Sequence, residues 1–405
     1  MFDNLLYQNA SSLLSSDIEN GRLPGSILLA GPAASGKLTC ALELARVLSC
    51  TGDRKHPKGH WLCECQSCQK NKELTNANVL LAGPRDCSLE IYASKKAFLN
   101  AAYNNERCLP ATRYLFLRSV RKLTNRFSQI LWEDDDKIPK IAQLMQLIDE
   151  EMEKISPEKE LLENDKLQKT AENIIAQCEK LESAFMYDSI PISQIRKAAS
   201  WAHLKSTDGK KVFVIENAER MLEGARNALL KILEEPPSDA VFILTTSRRQ
   251  AVMPTILSRV RTYYFSERTQ KQQNEVIDRV FHSSNDKNLS VSEYLETFLP
   301  VNPEQIKKIA SEYFSSIMQG KIPLASAILK LCNNFSPTVL LKSFLVGIME
   351  AARKNPQSAK NVRLCEKVVE FTRNCYNNVT VYNQSAPAAL ESLTRDLAGA
   401  RMFFD

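Results

Sequence analysis

Residues 212–237, VFVIENAERMLEGARNALLKILEEPP, constrain the fold more than any other stretch of the chain. Val212 to Ile215 form a run of four apolar residues, which is how a short strand buried on both faces reads. Glu216, Asn217 and Glu219 follow at the strand's carboxyl end, the place where open α/β sheets hold their ligands. A helix is expected next, apolar at Ala225, Leu229, Leu230 and Leu233 and stopped by Pro236-Pro237. A second buried strand, Val241 to Leu244, ends in Thr245-Thr246-Ser247 and leads to Pro254-Thr255-Ile256-Leu257-Ser258-Arg259.

A third strand, Ser26 to Ala30, feeds Gly31-Pro32-Ala33-Ala34-Ser35-Gly36-Lys37-Leu38-Thr39. The loop has the pattern of a phosphate-binding loop, with glycines that free backbone N–H groups to wrap phosphates and a lysine to reach the outer oxygens. One position breaks the pattern. Leu38 stands where a Ser or Thr hydroxyl would hold Mg²⁺. Thr39 comes one residue late, which on a helix turns its hydroxyl about 100° away. The loop therefore reads as a nucleotide loop by ancestry, without the ligands for Mg²⁺-ATP turnover.

The chain's 405 residues allow two or three domains, and 44% hydrophobic with only 12 Gly suits a mostly helical globular protein. A net charge of +6 permits contact with DNA without demonstrating it. MFDNLLYQNA has neither a basic n-region nor an apolar h-region, and no run of 18 apolar residues occurs, so a cytoplasmic protein with no membrane partner is expected. In such a setting 11 cysteines argue for thiols and metal rather than disulfides. Cys50, Cys63, Cys65 and Cys68 lie close enough in sequence to satisfy one tetrahedral structural Zn²⁺. His56 or His60 could replace Cys63 as a ligand.

NALLKILEEPP, FILTT and PTILSR together resemble the bacterial clamp-loader AAA+ subunits, the gamma/tau and delta-prime family of DNA polymerase III. The resemblance implies an α/β fold: an AAA+ P-loop module with a parallel sheet and a small zinc module, then a helical lid and an all-α collar. It covers about residues 1–90 and 190–265 well and 320–405 loosely. Tyr7-Gln8 falls where the family carries Gly-Gln near the adenine. The zinc module sits in the family's place, but its spacing is C-x-C-x₂-C rather than C-x₂-C-x₂-C. The family's Asp-Glu at the strand end, a metal ligand and a general base, is replaced by Glu216 and Asn217. An amide cannot take a proton from water, so the base is missing. The simpler reading is that Glu216 and Glu219 cap the following helix. No Gly-Ser-x-x-Arg sensor is found in the lid.

The implied domains are 1–91, with the zinc module at 50–70, and 189–266 for the AAA+ module, 267–318 for the lid, and 319–405 for the collar. Asn383-Gln384 and Ala389 to Leu393 resemble the collar's end. The family moves quickly from the Asn78–Pro84 strand to an Ile-x-x-Ile-Arg helix, here Ile192 to Arg196, so 92–188 is an insertion. Ile141, Met145, Ile148, Met152 and Ile155, then Leu167, Ala171, Ile174, Cys178, Leu181 and Phe185, predict an antiparallel helical hairpin. The insertion as a whole, deleted over 95–186, is expected to be dispensable for solubility and zinc binding of the rest. Arg113, Arg118, Arg121, Lys122 and Arg126 read as a solvated basic face, with nucleic acid or partner contact as the alternative.

The resemblance implies a delta-prime-like, ATP-silent member of a hetero-oligomeric clamp loader, acting with a sliding clamp on primer-template DNA. Arg259 would be its arginine finger, supplied in trans to a neighbour's ATP site; the alternative is that Arg259 caps the helix or pairs with Glu234 or Glu235 in the same chain. Two alternatives stay open: a gamma/tau-type ATPase motor, and a zinc-bearing AAA+ adaptor outside replication.

Overall fold

Strands buried on both faces need a sheet covered on both sides, and that is where the apolar runs go. Five strands, β1 (Ser26–Ala30), β2 (Val79–Ala82), β3 (Lys211–Ile215), β4 (Ala240–Thr246) and β5 (Arg261–Tyr264), form one parallel sheet in the order β2-β3-β4-β1-β5. In register, Ile215 pairs with Leu244, and Leu244 with Leu28. The computed structural model describes residues 1–84, 86–187, 189–206, 209–284, 288–335, 337, 339–353, 359–380, 382 and 384–401. Asn383, which figures in the expectations above, lies outside them. Contacts divide the chain into two units, Met1–Tyr294 and Leu295–Asp405.

Alternate residues of each strand enter different cores, as the period of two demands. Ile27, Leu29, Val212, Val214, Val241 and Ile243 face one side, with α1 (Ala10–Glu19) and α2 (Lys37–Ser49). Leu28, Ala30, Phe213, Ile215, Phe242 and Leu244 face the other. β5 carries no long apolar run; only Tyr263 of its four residues is buried, so sequence pattern alone does not mark it.

The chain continues through α3 (Gln66–Lys72), α4 (Ser88–Tyr103), α5 (Leu109–Thr124), α6 (Gln129–Trp132), α7 (Ile138–Lys154), α8 (Asn164–Phe185) and α9 (Ile192–His203). The hairpin of α7 and α8 forms as its apolar spacing predicts: Ile141, Ile148, Met152, Leu167, Ile174 and Leu181 are buried. It is not detached. Phe98, Phe116, Val120, Leu123, Ile148 and Ile174 belong to the same core as Phe213 and Phe242 of the sheet. The insertion covers an apolar sheet face that would otherwise meet water, which argues against its being dispensable.

The basic side chains of α5 are not a solvated face either. Buried Arg113 donates to the carbonyls of Ile155 at 2.9 Å and Lys159 at 2.9 Å, closing the hairpin's turn. Arg118 bonds the Asn71 and Lys72 carbonyls at the end of α3, and Lys122 pairs with Glu90. Their charges hold elements together.

After β3 come α10 (Glu223–Glu234), α11 (Pro254–Leu257) and α12 (Gln270–Phe281), the last with a Thr269–Gln272 capping box. α13 (Val291–Glu296) spans the boundary between the units. The second unit holds α14 (Pro303–Met318), α15 (Ala325–Leu331), α16 (Val339–Arg353), α17 (Ala359–Thr380) and α18 (Ala386–Arg401). α14 packs on α16 so closely that a Cβ on Gly347 would come within 2.7 Å of the Ala310 side chain. α12 belongs to the first unit and α14 to the second.

Candidate nucleotide and metal sites

β1 runs into the glycine loop, whose last residue, Gly36, is the N-cap of α2. The loop keeps the sharp turns of a phosphate cradle, with Ala34 in the left-handed region at φ 54°. Several of its carbonyls accept hydrogen bonds from the chain's own cations. Lys37 Nζ donates to the Gly31 carbonyl at 2.8 Å and also contacts the Pro32 carbonyl and Ser35 Oγ. Arg268, buried, donates to the carbonyls of Ala34 at 3.1 Å, Ser35 at 2.9 Å and Leu6 at 3.0 Å. Gln8 exchanges two 3.0 Å bonds with the Ser266 backbone. Tyr7 sits at φ 58°, so the backbone bend that a glycine would favour is made by a tyrosine.

Leu38 is 6% exposed and packs in the core with Leu42 and Leu5, not toward the loop's mouth. Thr39 is half-buried on the next helical position. Asn217, at φ 52°, donates its side-chain amide to the Pro84 carbonyl. Glu216 is 7% exposed and ion-paired with Arg126, and Glu219 accepts from the Ser247 hydroxyl at 3.0 Å. Neither acid caps α10, whose N-cap is Leu222, so the capping reading is corrected. With an apolar side chain at the hydroxyl position and the acid already neutralised by a guanidinium, this donor set does not fit Mg²⁺.

The cysteine cluster fits its metal well. The Sγ atoms of Cys50, Cys63, Cys65 and Cys68 all lie within 4.8 Å of one another, with Cys50 to Cys63 at 3.6 Å and Cys65 to Cys50 at 4.0 Å. Zinc–sulfur bonds of about 2.3 Å put tetrahedral sulfurs about 3.8 Å apart. The loop 50–65 is set by Asp53, whose carboxylate accepts from the backbone N–H groups of Lys55, His56 and Glu64 at 2.7–2.8 Å. Those bonds hold Asp53 well below the usual carboxylate range. His56 faces Asp53, and His60 accepts from the Leu62 N–H at 3.2 Å, while Cys63 is fully buried in the cluster. The sulfurs alone make up the donor set.

Hydrogen bonds to sulfur favour the thiolates a metal needs. The N–H groups of Gly59 and Gly52 point at Cys50 Sγ, at 3.2 and 3.4 Å. Burial pushes Cys65 up, but bonds from Thr51 and the Cys68 backbone outweigh it and hold this thiol below its usual range, whereas burial holds Cys63 and Cys68 above theirs. Arg46 Nη1 reaches Cys68 Sγ at 3.0 Å. Sequence reading missed Arg46; the available signal was Glu43 and Arg46, three apart, inside the apolar run of α2.

Arg259 follows α11 and donates to the Thr255 carbonyl at 3.0 Å and to Glu234 at 3.3 Å. Its partner Glu234 is 60% exposed, so the pair lies at the surface.

A parallel sheet in this strand order, with a glycine-loop at the end of β1 and an acid at the end of β3, defines the P-loop module of an AAA+ protein. The chain belongs to the family described as DNA polymerase III, delta subunit, which matches residues 7–269. It is similar to the delta' subunit of DNA polymerase III of Bacillus subtilis, 43% identical over 56 residues, which cover 14% of this chain and 17% of that one. The gamma/tau subunit of Mycobacterium tuberculosis is 39% identical over 72 residues, 18% of this chain and 12% of that one. The delta' subunit of Pseudomonas aeruginosa is 39% identical over 71 residues, 17% and 22% respectively. The matched stretches thus span 12 to 22% of these relatives' lengths.

Proposed function

We propose that the chain is a delta-prime-type, ATP-silent subunit of a DNA polymerase III clamp loader. In this reading it is a stationary member of a hetero-oligomer that opens a sliding clamp and loads it on primer-template DNA. Asn217 carries the proposal. It stands where hydrolysis needs a general base, and its amide is committed to the Pro84 carbonyl. Leu38 removes the other requirement, a hydroxyl for the metal. The cysteine site would hold a structural Zn²⁺, and the zinc module and C-terminal helices would shape and join the assembly. The lid at 267–318 and the collar at 319–405 are part of the same proposal. Among the described residues no helix is long and apolar enough to cross a membrane, which accords with a cytoplasmic role.

Arg259 would serve a neighbouring ATPase subunit. A guanidinium keeps its charge and can hold two phosphate oxygens at once. Its bond to Glu234 is at the surface, where such pairs are worth about 0–1 kcal/mol, so exchanging it for a phosphate costs little. The test is turnover. The purified, zinc-loaded chain should hydrolyse ATP at background rate. In the reconstituted complex Arg259→Ala should disable one ATP site, by roughly 10³- to 10⁵-fold at that site, while Lys37→Ala does far less. A chain that turns over ATP by itself and stops on Lys37→Ala is a motor. That second reading is favoured by the likeness to gamma/tau subunits.

A further inference from the structure

The acid at the end of β3 is served by a residue from the insertion. Arg126 follows α5 in a short 3₁₀ turn, Asn125–Phe127, and is only 3% exposed. One arm of its guanidinium pairs with Glu216, and the other donates to the Gly83 carbonyl at 2.7 Å. The arginine is itself fixed. Trp132 Nε1 donates to its carbonyl at 2.8 Å, and the Trp132 ring stacks between Phe127 and Tyr187 at 5.3 and 5.0 Å.

The Glu216 position ends one strand spacing from the end of β4 and two, about 10 Å, from the end of β1 that opens the glycine loop. This is where a divalent cation would meet the sheet. A buried carboxylate takes either a metal or a permanent side-chain cation as its counter-charge. Here Arg126 supplies that counter-charge from within the chain.

We propose that Arg126 is the built-in cation of this site: the insertion holds a guanidinium on Glu216, and the site is closed to divalent metal. This deepens the ATP-silent reading and rests on it for the meaning of the site, since the loop and acid are those of a nucleotide module. It also gives the insertion a task at the sheet's ligand edge, beyond covering an apolar face.

The experiment uses the full, zinc-loaded chain and Mn²⁺ as probe, with binding read by electron paramagnetic resonance or calorimetry. Wild type and Glu216→Gln should give the same Mn²⁺ isotherm. Leu38→Thr restores a hydroxyl at the loop, and in that background Arg126→Gln should gain about one equivalent of bound Mn²⁺, lost again when Glu216→Gln is added. A wild-type Mn²⁺ site that Glu216→Gln removes would overturn the proposal, as would a folded Leu38→Thr/Arg126→Gln that gains none. Should Leu38→Thr/Arg126→Gln fail to fold, the comparison of wild type with Glu216→Gln decides alone: matching isotherms support the proposal and a lost site ends it. ATP turnover, measured separately, reports on the ATP-silent reading. A wild type that binds Mn²⁺ through Glu216 yet hydrolyses nothing overturns only the inference. One that hydrolyses ATP with no Mn²⁺ at Glu216 overturns only the function.

Discussion

Arg46 donates to the Cys68 sulfur at 3.0 Å, and the same guanidinium is held by Glu43 at 2.6 Å and by the carbonyls of Gly59 and His60 at 2.9 and 3.1 Å. The residue is 1% exposed, so a helix of the P-loop module reaches into the cysteine cluster through a fully satisfied buried cation. The stack of Trp61 over that guanidinium, at 5.5 Å, closes the arrangement from outside.

Loss of this contact should weaken zinc without removing it. Arg46→Ala is expected to lower zinc affinity roughly 10- to 100-fold, the usual effect of removing a partner that orients a metal ligand. Competition with a chromophoric chelator measures it. Unchanged affinity in a folded Arg46→Ala protein would mean that Arg46 serves α2 alone.

Zinc content should be about one equivalent per chain and should fall in Cys65→Ser/Cys68→Ser. Protons compete with the metal for thiolate sulfur, so retention must decrease as pH falls and recover as it rises. Metal analysis after dialysis across a pH series follows both effects. Full occupancy in the double variant would refute the ligand set.

Deleting 95–186 should leave no soluble domain, because Phe98, Phe116 and Val120 complete the core over Phe213 and Phe242. Phe116→Ala, at a fully buried site, is expected to cost about 3–5 kcal/mol in denaturant unfolding. A soluble deletion variant that retains zinc would show instead that the insertion is a separate lobe.

Gly83 follows β2 at φ 116°, and a Cβ there would come within 2.2 Å of the Glu216 carbonyl oxygen. Gly83→Ala should therefore destabilise by at least about 1–3 kcal/mol, from backbone strain alone. A thermal midpoint equal to wild type would contradict the close approach of β2 and β3 at their ends.

Glu234→Gln separates the two uses of Arg259. The pair is exposed, so stability should change by less than about 1 kcal/mol. The ATPase of the reconstituted complex should stay near wild type, unlike that of Arg259→Ala. Equal loss in both variants would mean that Arg259 acts through Glu234 rather than on a neighbour's phosphate.

Four of the sheet's five strands were legible in the sequence because they are short apolar runs bounded by charge, glycine or proline, and burial on both faces leaves no other reading for Val212–Ile215 or Val241–Leu244; β5, with Tyr263 alone buried, was not. The hairpin was legible for the same reason at a different period: Ile141 to Ile155 and Leu167 to Phe185 keep steps of three and four. The cysteine ligands announced themselves by chemistry, since four thiols within nineteen positions have few other uses. What the sequence left undecided was where each charge goes. Arg113, Arg118 and Arg126 carry the same pattern as a solvated face, and only the fold turns Arg113 onto a helix turn, Arg118 onto α3 and Arg126 onto Glu216, 90 residues away. Apolar spacing is local, so helices and strands can be read along the chain. The partner of a buried charge is set by whichever element arrives beside it, and that is decided only when the insertion closes over the sheet.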